Sequence, residues 1–274
     1  MTKIQGNEWK IKLVALPCLC VDVFYGTDEI RPGGEALNFA AHAADFERMD
    51  VTLLGVVGDD RYAKTIMSSI ADRRIDTHLV RVDKNHNTAN NMTYLTPEGD
   101  RYYKEDSWDG SILDNIVLNE EEISAITGAD VVFVHFAASC FKQVWELRKQ
   151  ADFKLAVDFD VERDFAKIEQ YAPFIDFFMI SGAKELLPYF EDFSKKYDGL
   201  FNMSLAEQGS VTYHKGVKYQ VAAEPVEKIV DTTGCGDSYH AGFVCSYLLE
   251  GDIEKAMRTG SQTAARTLSH YGGF

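Results

Sequence analysis

The sequence predicts an α/β fold in which a mostly parallel β-sheet is covered by helices on both faces. Along the 274 residues, short apolar runs rich in β-branched residues alternate with longer amphipathic stretches, a pattern typical of parallel sheets. Several runs are apolar on successive residues, as expected for strands that are covered on both faces. No linker or repeat divides the chain, so we expect one domain over residues 1–274.

The alternation predicts the elements in order. Apolar runs predict strands over residues 13–24, 51–57, 131–136, 155–160, 177–181, 200–205 and 211–214. Amphipathic stretches predict helices over residues 35–49, 61–73, 120–127, 141–150, 184–196, 237–249 and 253–269. Gly251 follows the sixth of these helices, where glycine is a typical stop signal.

Two segments interrupt the alternation, one at residues 25–32 and the other at residues 85–109. In the second segment, Pro97 and Gly99 occupy the positions that they favour in a type I turn, with polar and aromatic runs on either side. This arrangement predicts a β-hairpin. Both segments leave the core, and we expect them to form a small sheet that covers a cleft.

Composition and charge exclude several classes of protein. The chain has 28 Lys and Arg against 43 Asp and Glu, a net charge of -15, and no basic stripe, so we expect no nucleic-acid partner. No stretch approaches the about 20 apolar residues of a membrane span, so we expect no membrane partner. The five cysteines form no C-x-x-C pair, which indicates neither a disulfide framework nor a zinc site. The N-terminus lacks the apolar core of a signal peptide, and we therefore expect a cytoplasmic protein.

The sharpest motif is a glycine-rich loop at residues 230–238, directly before a predicted helix. Gly234 and Gly236 let the backbone turn tightly and expose N–H groups, which together with the helix dipole suit an anion. Asp237 lies in the first turn. Its carboxylate either caps the helix or accepts a proton from a hydroxyl beside the bound anion, and an isolated motif of this length leaves both open.

A second motif lies at the start of the first helix. Gly33 and Gly34 allow a ligand to approach the backbone closely, and Asn38 follows about one turn later. Asp22 lies in the last part of the first strand, where a carboxylate is either a cap or a ligand group. Taken alone, the motif is better explained by an ordinary helix start with a polar Asn.

Three further features remain open from the residues alone. Cys235 is either an activated thiol at a helix N-terminus or a small packing residue. His135 either faces a substrate or is a satisfied core histidine. Four aromatic residues either stack on a sugar, form an interface or pack on a half-exposed sheet: Tyr94, Tyr102, Tyr103 and Trp108.

In this order, the motifs resemble those of the pfkB family of carbohydrate kinases, also called ribokinase-like. Residues 231–237 resemble its C-terminal signature, with Cys235 where alanine is commoner, and Gly33, Gly34 and Asn38 resemble its N-terminal signature. Two further glycine-containing segments, 55–60 and 204–209, are similar to family motifs, and the resemblance runs from residue 13 to residue 274. Within the family, residues 180–185 and 264–274 resemble the fructoselysine 6-kinase subgroup.

The resemblance implies a ribokinase-like three-layer sandwich with a small β lid from segments 22–33 and 86–108, which in many relatives also forms a dimer interface. It implies transfer of the ATP γ-phosphoryl group to a primary hydroxyl of a sugar, with Mg²⁺ and a monovalent cation such as K⁺. Asp237 would be the general base, and the amides of Gly234, Cys235 and Gly236 would bind the migrating phosphoryl group. The remaining roles would be sugar binding by Asp22, Gly33, Gly34 and Asn38, nucleotide binding by Glu185, Ser204, Ala206, Gly209 and Gly260, and cation binding beside Asp231 and Thr233.

The chain departs from the family pattern at some positions. Gly182 stands where the family usually has the Asn of an N-x-x-E motif, although Glu185 is retained. Glu35 and Leu37 stand where Asn or Lys is frequent, so contacts to the sugar are expected to differ. Fructoselysine is one acceptor that fits. Other acceptors in the family, namely fructose, ribose, adenosine and ketodeoxygluconate, stay open, as does a non-catalytic sensor on the same scaffold.

Overall fold

A large sheet forms the centre of the molecule in the computed structural model, which describes residues 9–95 and 101–274. Within these residues, the strands are β1 (Ile11–Leu16), β2 (Cys20–Phe24), β3 (Ile30–Gly33), β4 (Met49–Gly58), β5 (Ile75–Asp83), β6 (Ala89–Leu95), β7 (Arg101–Tyr103), β8 (Val131–His135), β9 (Lys154–Asp158), β10 (Phe177–Ser181), β11 (Leu200–Ser204), β12 (Ser210–His214) and β13 (Val217–Val221). The large sheet has the strand order β13-β12-β11-β10-β9-β8-β1-β4-β5. All neighbours from β5 to β11 are parallel, and only β12 and β13 join antiparallel, which confirms the predicted mostly parallel sheet.

Helices cover both faces of this sheet. They are α1 (Glu35–Ala43), α2 (Arg61–Ser69), α3 (Glu120–Thr127), α4 (Phe141–Arg148), α5 (Phe165–Glu169), α6 (Leu187–Lys196), α7 (Cys235–Glu250) and α8 (Ile253–Thr267). Short 3-10 helices span Ser111–Asn115, Ala172–Phe174, Lys184–Leu186 and Ala206–Gln208. No helix in the described part of the chain is long and apolar enough to cross a membrane.

Two apolar cores, one on each face, hold the layers together. One contains side chains of α1, α2, α7 and α8, and the other contains side chains of α3 to α6. Successive residues of β1 serve both: Leu13 and Ala15 belong to the first core, whereas Val14 and Leu16 belong to the second. Burial on both faces is why this strand is apolar at every one of these positions. The three-layer prediction is confirmed.

A second, smaller sheet has the strand order β3-β2-β6-β7 and comes from the two segments that interrupt the alternation. Strand β2 pairs antiparallel with β3 and parallel with β6, and β6 pairs antiparallel with β7 as expected for the two arms of the predicted hairpin. The predicted turn around Pro97 and Gly99 lies outside the described residues. A lid function for this sheet stays a prediction.

The sequence patterns misplace some boundaries. The predicted strand 13–24 is two strands, β1 and β2, which belong to different sheets and flank Pro17, a residue that cannot donate to a ladder. The predicted helix 35–49 ends at Ala43, and β4 begins at Met49. The predictions also missed β5, β13 and α5. Strands β5 and β13 form the two edges of the large sheet and expose many residues, so their sequences carry little apolar signal, and α5 is only five residues long.

Candidate active site

A cavity of about 570 Å³ lies between the carboxyl ends of β8 and β9, the small sheet and the loop before α7. Its lining includes all eight residues predicted to bind substrate or to act in catalysis, namely Asp22, Gly33, Gly34, Asn38, Gly234, Cys235, Gly236 and Asp237, and also Thr233, which was predicted to lie beside a cation. The structure thus brings together two motifs that lie about two hundred residues apart in the chain.

The loop before α7 turns at Gly234, the N-cap residue, with a left-handed φ of 67°. A Cβ here would lie 2.6 Å from the Gly273 Cα, so this position needs glycine for both its conformation and its neighbour. A Cβ at Gly236 would meet nothing within 4 Å, which leaves the backbone of the first turn open towards the cavity. The Cys235 amide is less open, because it donates to the Thr232 carbonyl over 3.3 Å. Helix first turns carry amides without intrahelical partners, so this arrangement suits an anion.

Asp237 does not cap the helix. The N-cap is Gly234, without a side-chain bond, and the Asp237 carboxylate instead accepts a 2.8 Å hydrogen bond from Asn38 Nδ2. Burial raises the pKa of Asp237 to about 7, with further upward contributions from the charges of Glu35 and Asp158, while the hydrogen bond from Asn38 acts in the opposite direction. A carboxylate with this pKa can accept a proton near neutral pH.

Asp22, Gly33 and Gly34 form the side of the cavity next to the small sheet. Asp22 is buried in β2 and accepts a hydrogen bond from Thr93 Oγ1 over 3.2 Å. Gly34 has a φ of 107°, and a Cβ there would lie 2.5 Å from the Cys18 carbonyl oxygen. Only glycine therefore allows α1 to start so close to the chain that links β1 and β2.

An ion pair beneath Asp237 was missed by the sequence analysis. His240 Nδ1 lies 3.3 Å from Asp158 Oδ2, both side chains are buried, and one atom of each lies within 4.8 Å of an Asp237 oxygen. Burial lowers the pKa of His240, but the charges of Asp158 and Asp237 outweigh it and raise the pKa above its usual value. Burial raises the pKa of Asp158, but His240 outweighs it and lowers that pKa. Both shifts favour opposite charges on the two side chains, next to Asp237.

Three further lining residues were not predicted as site residues. Asp160 was missed, Glu35 was noted only as a departure from the family pattern, and His135 was left open. Glu35 and Asp160 line the cavity, and burial together with the charge of Asp158 raises the pKa of Asp160. His135 lines it too, so the view of this residue as a satisfied core histidine is wrong: its Nε2 is buried without a hydrogen-bond partner in the described structure. The available signal was position, because His135 and Asp160 lie at or just beyond the ends of parallel strands, where such sheets bind ligands.

Cys235 is not an activated thiol. Burial, together with the charge of Asp237, raises the pKa of Cys235 to about 11, so the thiol stays protonated at neutral pH. This result favours the interpretation of Cys235 as a small packing residue.

The side-chain oxygens of Asp231 and Thr233 that a monovalent cation could use are already engaged in hydrogen bonds. Asp231 Oδ1 accepts hydrogen bonds from the amide and the hydroxyl of Thr233, over 2.9 Å and 2.6 Å. Asp231 Oδ2 accepts from the Gly272 amide over 3.0 Å and from Arg31 Nη1 over 3.1 Å. The guanidinium of Arg31 already supplies positive charge at this carboxylate, so these residues do not fit a second cation.

The residues predicted to bind nucleotide do not line the cavity, but some border it. Ser204 Oγ lies 3.2 Å from Ser181 Oγ, and Ser181 lines the cavity. Ala206 and Gly209 flank the adjacent turn, both with positive φ, and Gly260 lies in α8 against Tyr239. Their roles stay predictions.

Glu185 offers an exposed carboxylate on the 3-10 helix Lys184–Leu186, a donor of the type that Mg²⁺ takes together with phosphates and water. Gly182 explains the missing Asn of the family motif, since a Cβ at this residue would lie 2.8 Å from Met203 Sδ. Met203 would therefore have to move to make room for the Asn of the family motif, while the donor at Glu185 fits the ion.

Comparison with known proteins identifies the family. Residues 25–273 match the profile of the pfkB family carbohydrate kinases. The chain belongs to this family. This pfkB-family protein is therefore a sugar kinase, a phosphotransferase with an alcohol acceptor, as the motifs predict.

Curated relatives of this pfkB-family kinase match over nearly its whole length. Fructosamine kinase FrlD of Bacillus subtilis is 25% identical, over 96% of this chain and 93% of the relative. Fructoselysine 6-kinase of Escherichia coli is 24% identical, over 93% of this chain and 96% of the relative. The predicted resemblance to this subgroup is confirmed at low identity.

Solved structures confirm the ribokinase-like fold. The nucleoside kinase of Methanocaldococcus jannaschii, an archaeal member of the ribokinase family, aligns with a TM-score of 0.78 at 18% identity, over 97% of this chain and 94% of that one. Arabidopsis thaliana ribokinase, complexed with ribose and ATP, aligns with a TM-score of 0.79 at 18% identity, over 96% and 93% of the two chains. At these identities the likeness concerns the fold.

Proposed function

We propose that this kinase transfers the γ-phosphoryl group of ATP to a primary hydroxyl of a sugar that carries an amine, with fructoselysine, phosphorylated at position 6, as the leading acceptor. The coarser activity, sugar phosphorylation, follows from the family. The amine-bearing acceptor goes beyond the family assignment, and two curated relatives named for fructosamine and fructoselysine support it.

The acidic lining of the cavity is the observation that carries this acceptor class. Six carboxylates line it, namely Asp22, Glu35, Asp114, Asp158, Asp160 and Asp237. Among the described lining residues there is no lysine or arginine. Asp114 and Asp160 are exposed and Asp158 is paired with His240, but the remaining like charges repel each other in a partly dehydrated space, and a neutral hexose offers nothing to offset that repulsion. A protonated amine on the acceptor would offset it.

The residues support the following mechanism. Asn38 holds the Asp237 carboxylate by a 2.8 Å hydrogen bond, in position to accept the proton of the acceptor hydroxyl. Amides of the first turn of α7 would stabilise the charge of the migrating phosphoryl group. Glu185 would hold Mg²⁺, which neutralises phosphate charge when bound. The small sheet would act as a lid that excludes water, the competing acceptor.

The proposal includes no monovalent cation at Asp231, because four donors already occupy that carboxylate. It places the enzyme in the cytoplasm, a reducing compartment that suits its five free cysteines. A non-catalytic sensor is disfavoured because the acid that the reaction needs, Asp237, is present and lines the cavity.

A panel of acceptors tests the proposal. We expect kcat/KM for ATP consumption with fructoselysine and other fructosamines to exceed that with fructose, ribose, adenosine and ketodeoxygluconate by about tenfold or more. Glu35→Gln should lower the ratio of kcat/KM for fructosamines to kcat/KM for fructose about tenfold, the effect of losing one charged partner, and this ratio cancels any change in the pKa of Asp237, which acts on both acceptors. Glu146→Gln, at a carboxylate outside the cavity that pairs with Lys149, is the matched control. Equal activity on fructose and fructoselysine would refute the amine requirement but leave the kinase assignment intact.

The outer aromatic residues of the small sheet support a homodimer formed through it. Tyr25 is 63% exposed and Tyr102 51% exposed, and both contact Tyr94: the Tyr25 ring is tilted against it at 4.8 Å between centroids, and the Tyr102 ring stacks on it at 5.2 Å. Exposed aromatic surface of this kind marks an interaction site.

We expect the wild type to sediment at twice its 30.8 kDa chain mass and Tyr25→Ser/Tyr102→Ser to sediment as a monomer. Val117→Ser, at an exposed apolar residue elsewhere, should stay dimeric. A monomeric wild type would contradict the proposal.

A further inference from the structure

Arg31 connects the small sheet to the glycine-rich loop. It lies on β3, 200 positions from its partner Asp231, and its Nη1 lies 3.1 Å from Asp231 Oδ2. Its guanidinium lies between two aromatic rings, 4.5 Å from the centroid of Phe24 and 4.7 Å from that of Tyr271. These contacts fix the position of a permanently charged group, because a guanidinium is not deprotonated in proteins.

The carboxylate of Asp231 is nearly enclosed, with only 6% of the side chain exposed. Its two oxygens accept from four protein donors, and Arg31 is the one charged donor among those four. A metal cation that entered here would have to displace a donor and would meet the charge of the guanidinium at close range. Two cations at one buried carboxylate repel each other strongly.

We propose that Arg31 permanently occupies the place of the monovalent cation that the family signature implies, and that the kinase therefore needs no K⁺. Arg31 is then a positioning residue. Through Asp231 it neutralises the start of the loop whose later residues, Gly234 to Asp237, line the cavity. Arg31 Nε also donates to Glu29 Oε1, just before β3, over 2.6 Å, so the same side chain ties the small sheet to that loop.

The response to K⁺ tests this proposal in two readouts. The purified full-length chain is compared in KCl and in choline chloride of equal concentration, by its melting temperature and by ATP consumption with the best acceptor of the panel. For the wild type we expect equal melting temperatures and rates that differ by less than about twofold. Compared with the wild type in choline chloride, Arg31→Met should have a lower melting temperature and a rate reduced about tenfold or more, because the buried carboxylate has lost its charged partner. K⁺ should restore a large part of both losses.

Two variants serve as controls. Arg31→Lys keeps a positive charge and should stay insensitive to K⁺. Arg148→Met removes a half-buried ion pair with Asp176 that is not part of the cavity lining, and K⁺ should not reverse any decrease in the melting temperature of this variant.

The melting measurement needs no acceptor, so the proposal can be judged even if the acceptor class is wrong. Saturable stabilisation or activation of the wild type by K⁺ would overturn it. An Arg31→Met variant whose melting temperature and rate in choline chloride equal those of the wild type would also overturn it. So would losses in Arg31→Met that K⁺ does not reverse, if Arg31→Lys shows the same losses.

Discussion

Replacing Asp237 by Asn is expected to reduce kcat about a thousandfold and to leave the fold intact. Asn has the same shape and can still accept the hydrogen bond from Asn38, but it cannot take a proton from an alcohol. Since the side chain does not cap α7, its replacement removes no helix contact. Steady-state ATP consumption and a thermal melt of the same preparation measure the two effects.

The pH profile of the same pair of proteins identifies the group. Asp237 acts as a base only when ionised, and its pKa is raised to about 7, so kcat/KM of the wild type should rise with pH through about 7 and then level off. That rise should be absent from the residual activity of Asp237→Asn. Asp252→Asn is the matched control, because Asp252 caps α8 and an Asn there can still accept the capping hydrogen bond, so both the stability and the pH profile should be kept. A variant of Asp237 with near wild-type turnover would exclude it as the base.

The local motifs of the site could be predicted from the sequence because each depends on a few consecutive residues. Two glycines before an apolar helix specify a tight turn with open amides wherever they occur, and the loop around Gly234 and the helix start at Gly34 both follow this rule. The mostly parallel sheet was equally predictable, because burial on both faces forces apolar runs such as that of β1.

The environment of those motifs could not be predicted in the same way. The pKa of Asp237 depends on Glu35 from α1 and Asp158 from β9, and only the fold brings these charges within range. The same holds for Arg31, whose partner Asp231 lies in the other half of the chain. The exposed edge strand β5 was missed because its alternation of polar and apolar residues is weak. Sequence patterns reflect local requirements such as burial or a tight turn, whereas charge pairing across the cavity is a property of the tertiary structure.

Gly234→Ala is expected to lower kcat about a hundredfold, by displacing the loop rather than by removing a reacting group. The new Cβ would lie 2.6 Å from the Gly273 Cα and 3.1 Å from Asn38 Nδ2. A backbone carbon cannot yield as a flexible side chain can, so the loop has to shift. Asn38 would shift with it and release Asp237, and the amides of the first turn would lose their alignment with the phosphoryl group.

Gly251→Ala separates this geometric effect from the cost of a left-handed residue. Gly251 ends the same helix, with a φ of 72°, but a Cβ there would meet nothing within 4 Å. Both substitutions should cost about 1–2 kcal/mol in the free energy of unfolding for a left-handed residue with a Cβ, and only Gly234→Ala should also lose kcat. If the two variants lost kcat equally, or if Gly234→Ala kept the wild-type rate, the close packing of Gly234 against Gly273 would not be what aligns the site. Since the variants share the residue types, the helix and the sign of φ, the difference between them reports the contact with Gly273 and Asn38.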